Sequence, residues 1–334
     1  MSARLTRITE ICTGLGMIPD LSIDDVLAMK TPPSVVSGVD SSTWHALRGY
    51  WEDASDREVF EHAFHSGRYF LESSEALRGR SPLSIEWRGP IQLPERDPLP
   101  ADLRVDHVYV VSCKNLSKIL RNPSPVALFR HGRTDGEGGG GDWYFEVAQN
   151  EYESLYRGAV DLLGLSSFPH SVAELSRTEK DTLRYSFGRR WPPEIESQAK
   201  DFISAVSERS AAALRNVIQD KAAEERFYWQ LLRLHSSSYY ILGRQPNGPS
   251  HIRVITPWDF RHRFSFVSLD ITPARAGQPR VNWLATIRDE VADMDREVAG
   301  HIEVRWSHGR FNGAPEGKIY LDTPHKDAPG YEEI

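Results

Sequence analysis

The stretch Asp102-Leu-Arg-Val-Asp106-His107-Val108-Tyr-Val-Val111-Ser112-Cys113-Lys114 decides how this chain reads. β-Branched and aromatic residues are denser here than elsewhere in the sequence, which predicts strand. Val108 to Val111 reads as one deeply buried strand ending in Lys114, and Asn115 to Leu120 as the turn into a following helix. Spacing limits what this strand can do. At about 3.3 Å per residue, Asp106 and Lys114 would stand roughly 26 Å apart on one unbroken strand. A reversal at Asp106-His107 brings Asp102 across from Lys114 instead, and side-chain alternation then puts Ser112 and Lys114 on one face and Cys113 on the other. Asp-His is a weaker turn pair than Asn-Gly or Asp-Gly, so the reading hangs on that reversal.

Pro100-x-Asp102 followed by Ser112-x-Lys114 resembles the PD-(D/E)xK nuclease superfamily, in which an acid at one strand and an acid-x-Lys at the end of the next bind Mg²⁺ and activate water. The resemblance covers about residues 55–125 and rests on a short, degenerate motif. It implies a restriction-endonuclease-like α/β core and DNA cleavage, in restriction or defence. Asp102, Ser112 and Lys114 are then the catalytic positions, with Asp102 and Glu72, Glu75 or Glu86 holding Mg²⁺. Phosphodiester hydrolysis needs clustered carboxylates for a divalent ion and a cation to stabilise charge or orient the nucleophile. The departure is Ser112, which stands where an acid is usual, and a hydroxyl is the poorer Mg²⁺ ligand. That departure leaves open a noncatalytic nucleic-acid-binding or scaffold subunit on a nuclease-like core. Lys114 merely ending a buried strand is a third reading.

Working outward, the fold class expected is α+β: the α/β core, a helical middle region and an antiparallel β-rich C-terminal module. Residues 1–40 read as an N-terminal extension, 41–135 as the core, 136–237 as helical and 238–334 as the recognition module. Ser55 with Glu58 suggests a capping box opening a helix over 56–77, and Leu83 to Trp87 a strand. A loop punctuated by Pro90, Pro94, Pro98 and Pro100 follows, then a flexible break at Gly136 to Gly141. Asn150 with Glu153 suggests a helix start, continuing through Leu163. Residues 178–235 read as helices separated at Pro192-Pro193. Six strands then follow, over 239–242, 252–255, 264–269, 281–287, 301–306 and 318–321.

The chain has 334 residues, 40% apolar and 26% charged, with a net charge of −7. That composition suits a folded protein and argues against binding nucleic acid through the whole surface. Local basic clusters remain, among them Arg261 with Arg263, and Arg305, His308 and Arg310 beside Trp306 and Phe311. Arginines next to aromatic rings suit DNA, and these five basic residues are the candidate contacts. The alternative for the last cluster is a hairpin with Trp306 and Phe311 in the core. Glu316-Gly-Lys318 also spells acid-x-Lys but precedes its strand. His62 and His65 lie three apart on the predicted helix, a spacing that suits a metal but more often marks a polar surface. Two cysteines are too few for a disulfide framework. No apolar run reaches the length of a membrane span, and the expectation is a cytoplasmic protein with no membrane partner.

Overall fold

A computed structural model describes residues 3–89, 99–134, 141–188, 190–245, 248–274 and 277–334. Helices and strands are mixed throughout, as an α+β chain requires. In chain order the elements begin with α1 (Ala3–Gly16), α2 (Ile23–Ala28), β1 (Val36–Ser37), α3 (Ser41–Trp51), α4 (Arg57–Glu72), β2 (Ile85–Trp87), β3 (Leu103–Val105) and β4 (Tyr109–Asn115). Next come β5 (Ile119–Arg121), α5 (Pro125–His131), α6 (Trp143–Leu162), α7 (Arg177–Ser186), α8 (Glu196–Val217) and α9 (Lys221–Leu231). They end with β6 (Tyr239–Gln245), β7 (Gly248–Val254), α10 (Pro257–Arg263), β8 (Phe264–Pro273), β9 (Arg280–Asp289), β10 (Met294–Arg305), β11 (Glu316–Leu321) and β12 (Tyr331–Glu333).

Internal contacts divide the chain into two units, neither of them continuous. The first holds residues 1–118, 234–263 and 324–334; the second holds 119–233 and 264–323. This differs from the four consecutive segments expected from sequence. Strand pairing is the cause: β6 and β7 belong to the sheet of β4, whereas β8 to β11 form a sheet with β5. Residues 1–40 are no extension either, because Ile8, Ile11, Cys12 and Leu15 of α1 lie in the main core of the first unit.

In the first unit the sheet order is β1-β2-β3-β4-β6-β7-β12. β2, β3 and β4 form an antiparallel meander, β6 joins β4 in parallel, and β7 returns antiparallel to β6. α1 and α4 cross closely because both carry glycine at the contact. A Cβ on Gly16 would stand 2.0 Å from the Phe64 carbonyl oxygen, and one on Gly67 1.9 Å from that of Thr13. α4 starts at Arg57 without the predicted Ser55–Glu58 box; the Ser55 amide instead donates to Asp53. It ends at Glu72, short of the expected residue 77, and Phe70 at its end stacks edge-on against Tyr109 and Tyr240.

The reversal after β3 is present. Asp106 and His107 have φ of 53° and 58°, both left-handed, and the Val108 amide closes the turn on the Val105 carbonyl at 3.1 Å. Two left-handed central residues match the twist of a hairpin, which aspartate tolerates better than most. Asp106 also ties the turn down, accepting from the amides of Leu83 and Ser84. Val108 consequently sits at a turn, 73% exposed, and not in a buried strand; the strand proper starts at Tyr109. No helix follows Lys114. Leu116, at φ 56°, breaks the chain direction while its amide extends the ladder to Arg244, and β5 comes next.

In the second unit the sheet is antiparallel, ordered β5-β11-β10-β9-β8. The strands expected over 264–321 are all found, each longer than expected, although β10 begins seven residues early and ends one residue short of Trp306. α6 starts at Trp143, capped by Asp142, so Asn150 lies inside the helix and caps nothing. The helices on either side of Pro192-Pro193 are present as α7 and α8. The expected proline loop, apart from Pro100, and the glycine break, apart from Gly141, lie outside the described residues.

Candidate active site

The β3–β4 hairpin sets Asp102, the residue just ahead of β3, beside the middle of β4. Its Oδ2 accepts the Cys113 amide at 2.6 Å and the Ser112 hydroxyl at 3.2 Å. Ser112 therefore orients the aspartate it was expected to assist. Leu103 pairs with Val111 and Tyr240 with Val111 across the ladder, so β4 is held on both edges. Lys114 lies opposite Gly243 of β6.

A second carboxylate reaches this place from α1. Glu10 accepts the indole N–H of Trp87 on β2 at 2.7 Å. Its carboxyl is pushed up to about 7: burial is the main cause and the negative charge of Asp102 adds to it, while the Trp87 hydrogen bond and the Lys114 ammonium pull the other way. Glu10, Asp102 and Lys114 thus form one electrostatic group, assembled from α1, the approach to β3, and β4. Cys113 lies on the α1 side of β4 with Val111 and Tyr109, against Thr13 of α1. Burial first, then the charges of Asp102 and Glu10, raise its thiol above the ordinary range, which disfavours the thiolate.

Beyond Lys114 stands a polar cluster built from β6, β7 and the short helical turn before β12. His325 Nδ1 lies 2.6 Å from Gln245 Nε2 and 3.5 Å from Ser250 Oγ. Burial, with Lys114 second, pulls His325 down to about 4, so the imidazole is neutral near pH 7.

The other expected residues lie elsewhere. Glu72 and Glu75 are exposed at the C-terminal end of α4. That end is at the Tyr109 end of β4, since Phe70 packs on Tyr109 and the Tyr240 hydroxyl donates to the Glu75 carbonyl. Five residues of strand, roughly 17 Å, separate Tyr109 from Lys114, so neither glutamate joins the group. Glu86 pairs with Arg104 across the β2–β3 ladder and lies 3.8 Å from Arg88. His62 and His65 are surface residues, His62 next to Glu58 at 3.5 Å.

The basic candidates are dispersed. Arg261 and Arg263 are exposed on α10 beside Trp258, itself 73% exposed. In the second unit Arg305 donates to Glu303 at 3.1 Å and exposed His308 lies 3.8 Å from Glu316. Arg310 lies over the Trp191 ring at 3.5 Å, and burial pulls its guanidinium down to about 10. Trp306 and Phe311 belong to an interior aromatic cluster with Tyr144, Tyr152 and Phe202. Their rings pack inside the unit, in keeping with the alternative that places Trp306 and Phe311 in the core.

Sequence reasoning missed Glu10 and His325. Glu10 is the single acid of α1, adjoining the apolar stripe of Ile8, Ile11 and Leu15, and a lone acid beside a buried stripe is the signal that was there to use. Among the described residues no group of three His, Cys, Asp or Glu side chains is arranged to hold a metal ion by itself. Two carboxylates with a lysine can share an ion with substrate oxygens and water, as Mg²⁺ sites commonly do. Set against protein families, curated proteins and solved structures, the chain matches none.

Proposed function

We propose that the first unit is a metal-dependent nuclease core that hydrolyses DNA phosphodiester bonds, with a restriction-endonuclease-like sheet. The observation that carries this reading is the placement of Asp102 against Ser112-Cys113-Lys114 by the hairpin, with Glu10 as the acid that Ser112 does not supply. An acid ahead of one strand, a lysine late in the next and a tight reversal between them are what the family resemblance requires, and Ser112 is where this chain departs from it.

The residues present fit Mg²⁺. Burying two carboxylates near one another is unfavourable, as the elevated Glu10 carboxyl records, and a divalent cation offsets that repulsion. Glu10 and Asp102 are the side chains that would hold it, and the ion's chemistry is to polarise a phosphoryl oxygen and acidify a bound water. Ser112 and the Cys113 amide fix the Asp102 carboxylate. Lys114 orients the attacking water or stabilises charge developing on the phosphate.

Ser112 favours one rival, a nucleic-acid-binding subunit that does not cleave. Incubating the full chain with supercoiled and linear duplex DNA in Mg²⁺ or Mn²⁺ separates the two. Cleavage is expected from the unaltered protein, and Lys114→Ala is expected to lower it on the order of 100-fold or more while leaving the thermal midpoint in place. Full activity in Lys114→Ala sinks the assignment. Binding without cleavage in either metal favours the rival, and absence of salt-sensitive binding counts against both.

A further inference from the structure

The second unit contains a cavity of about 510 Å³, whose walls include Asp142, Phe145, Glu146, Tyr152, Lys180 and Phe311. Its size is within the range of small-molecule sites, and its make-up, apolar rings with a few converging polar groups, is theirs as well. Phe145 and Tyr152 of α6 both line the cavity, and between them the helix departs from helical geometry at Ala148 (φ −142°, ψ 41°). Tyr152 and Phe311 present parallel rings, 2° between planes and 6.0 Å between centroids. Interruptions of this kind inside a helix have identifiable causes and recur at functional sites.

The polar groups have distinct duties. Glu146 is engaged outside the cavity by Arg130, at 2.6 Å. Asp142 accepts the backbone amides of Tyr144 and Phe145 as the cap of α6. An ionised carboxylate has about four acceptor positions, so roughly two remain for a ligand. Lys180 lines the same cavity, and its charge favours the ionised form of Asp142. A partly exposed aromatic ring, a carboxylate acceptor and an ammonium group select a flat ring with hydrogen-bond donors on its edge and an anion attached.

We infer that this cavity binds a nucleobase, with the ring on partly exposed Phe145, its donor edge on Asp142 and its phosphate toward Lys180, while the buried Tyr152–Phe311 stack backs the cavity wall. Guanine fits best, because its ring N–H and neighbouring amino group are two adjacent donors that meet one carboxylate in parallel. Uracil, with one donor, fits worst. The inference concerns the second unit alone and stands whether or not the first unit cleaves DNA.

Calorimetric titration of the full chain with GMP, AMP, CMP, UMP and ribose 5-phosphate tests it. GMP is expected to bind tightest and ribose 5-phosphate not at all. Asp142→Asn keeps the helix cap, since asparagine caps as well as aspartate, but turns an acceptor into an amide; it is expected to weaken GMP about tenfold or more. Phe145→Ala, at a partly exposed position, is expected to weaken all four nucleotides, and Glu10→Gln none. A single-stranded oligonucleotide that displaces GMP identifies the source as a base within a strand, and one that does not identifies a free nucleotide. Failure of every nucleotide to bind, or GMP binding unchanged in both variants with circular dichroism retained, overturns the inference.

Discussion

Two strands of this protein carry a lysine two residues after a hydroxyl or an acid, and they end in opposite circumstances. On β11, Glu316-Gly-Lys318 has the conventional acid-x-Lys spelling. Its lysine donates to its own glutamate at 2.5 Å and is only 7% exposed. Burial opposes ionisation of Glu316, yet Lys318, Ser307 and His308 together hold it below the usual carboxylate range. Glu303, opposite Lys318 on β10, is matched in turn by Arg305. Two acids thus meet two bases. On β4, Ser112-Cys-Lys114 has the defective spelling, and the carboxylates come from distant segments, Asp102 and Glu10. Within that group the acids outnumber the lysine. An acid beside its own lysine satisfies itself locally, whereas charges drawn from separate elements meet only when the fold brings them together.

The largest expected effect breaks or keeps this contrast outright. Glu10→Gln is expected to lower Mg²⁺-dependent DNA cleavage on the order of 100-fold, whereas Glu316→Gln leaves the rate alone. Equal losses in a side-by-side cleavage assay would put the two motifs on the same footing. The next effect tests the dependence of β4 on its hairpin. Asp106→Ala removes the carboxylate that accepts the Leu83 and Ser84 amides and places alanine at φ 53°. It is expected to cost about 2 kcal/mol in urea unfolding, and Asp106→Asn less. A neutral alanine variant would mean that the turn does not set the register of β3 on β4.

The smallest effect belongs to the local pair. Lys318→Ala strands a glutamate that is 38% exposed and able to rehydrate, so the cost expected from breaking a buried pair is discounted to about 1 kcal/mol. Glu316 has a depressed folded-state value, so the stability it contributes exists above the unfolded carboxylate range and is lost as pH falls through the folded one. Thermal unfolding of the variant is therefore expected to converge on that of the unaltered protein toward acid pH. A gap that stays constant with pH would show that Lys318 acts through packing of its stem.

The hairpin and the six later strands were legible because their causes are local: alternation, β-branching, and an aspartate able to turn left-handed. Asp102 and Lys114 were legible for the same reason, being twelve residues apart across one turn. Glu10 was not, since 92 residues separate it from Asp102 and what unites them is the packing of α1 on the sheet, where a Cβ on Gly14 would stand 3.1 Å from Ile85 and 3.6 Å from Leu103. Helix α4 offered glutamates at plausible spacing, but Phe70 commits its last turn to the far end of β4. The aromatic, arginine-rich segment around Trp306 misled for a comparable reason. Composition shows which rings are there, and only packing shows which way they face.

The parallel pairing of β4 with β6 has a consequence in time. Between Asn115 and Tyr239 the chain builds most of the helices of the second unit, and it leaves again after Arg263 before returning at residue 324. On a ribosome moving at about 5–20 residues per second, β4 waits on the order of ten seconds for its neighbour, and His325 arrives later still. Until then one edge of β4 is an open template beside an apolar face. The lysine that the hairpin positions early thus gains its β6 neighbour and His325 only after long stretches of chain have followed it.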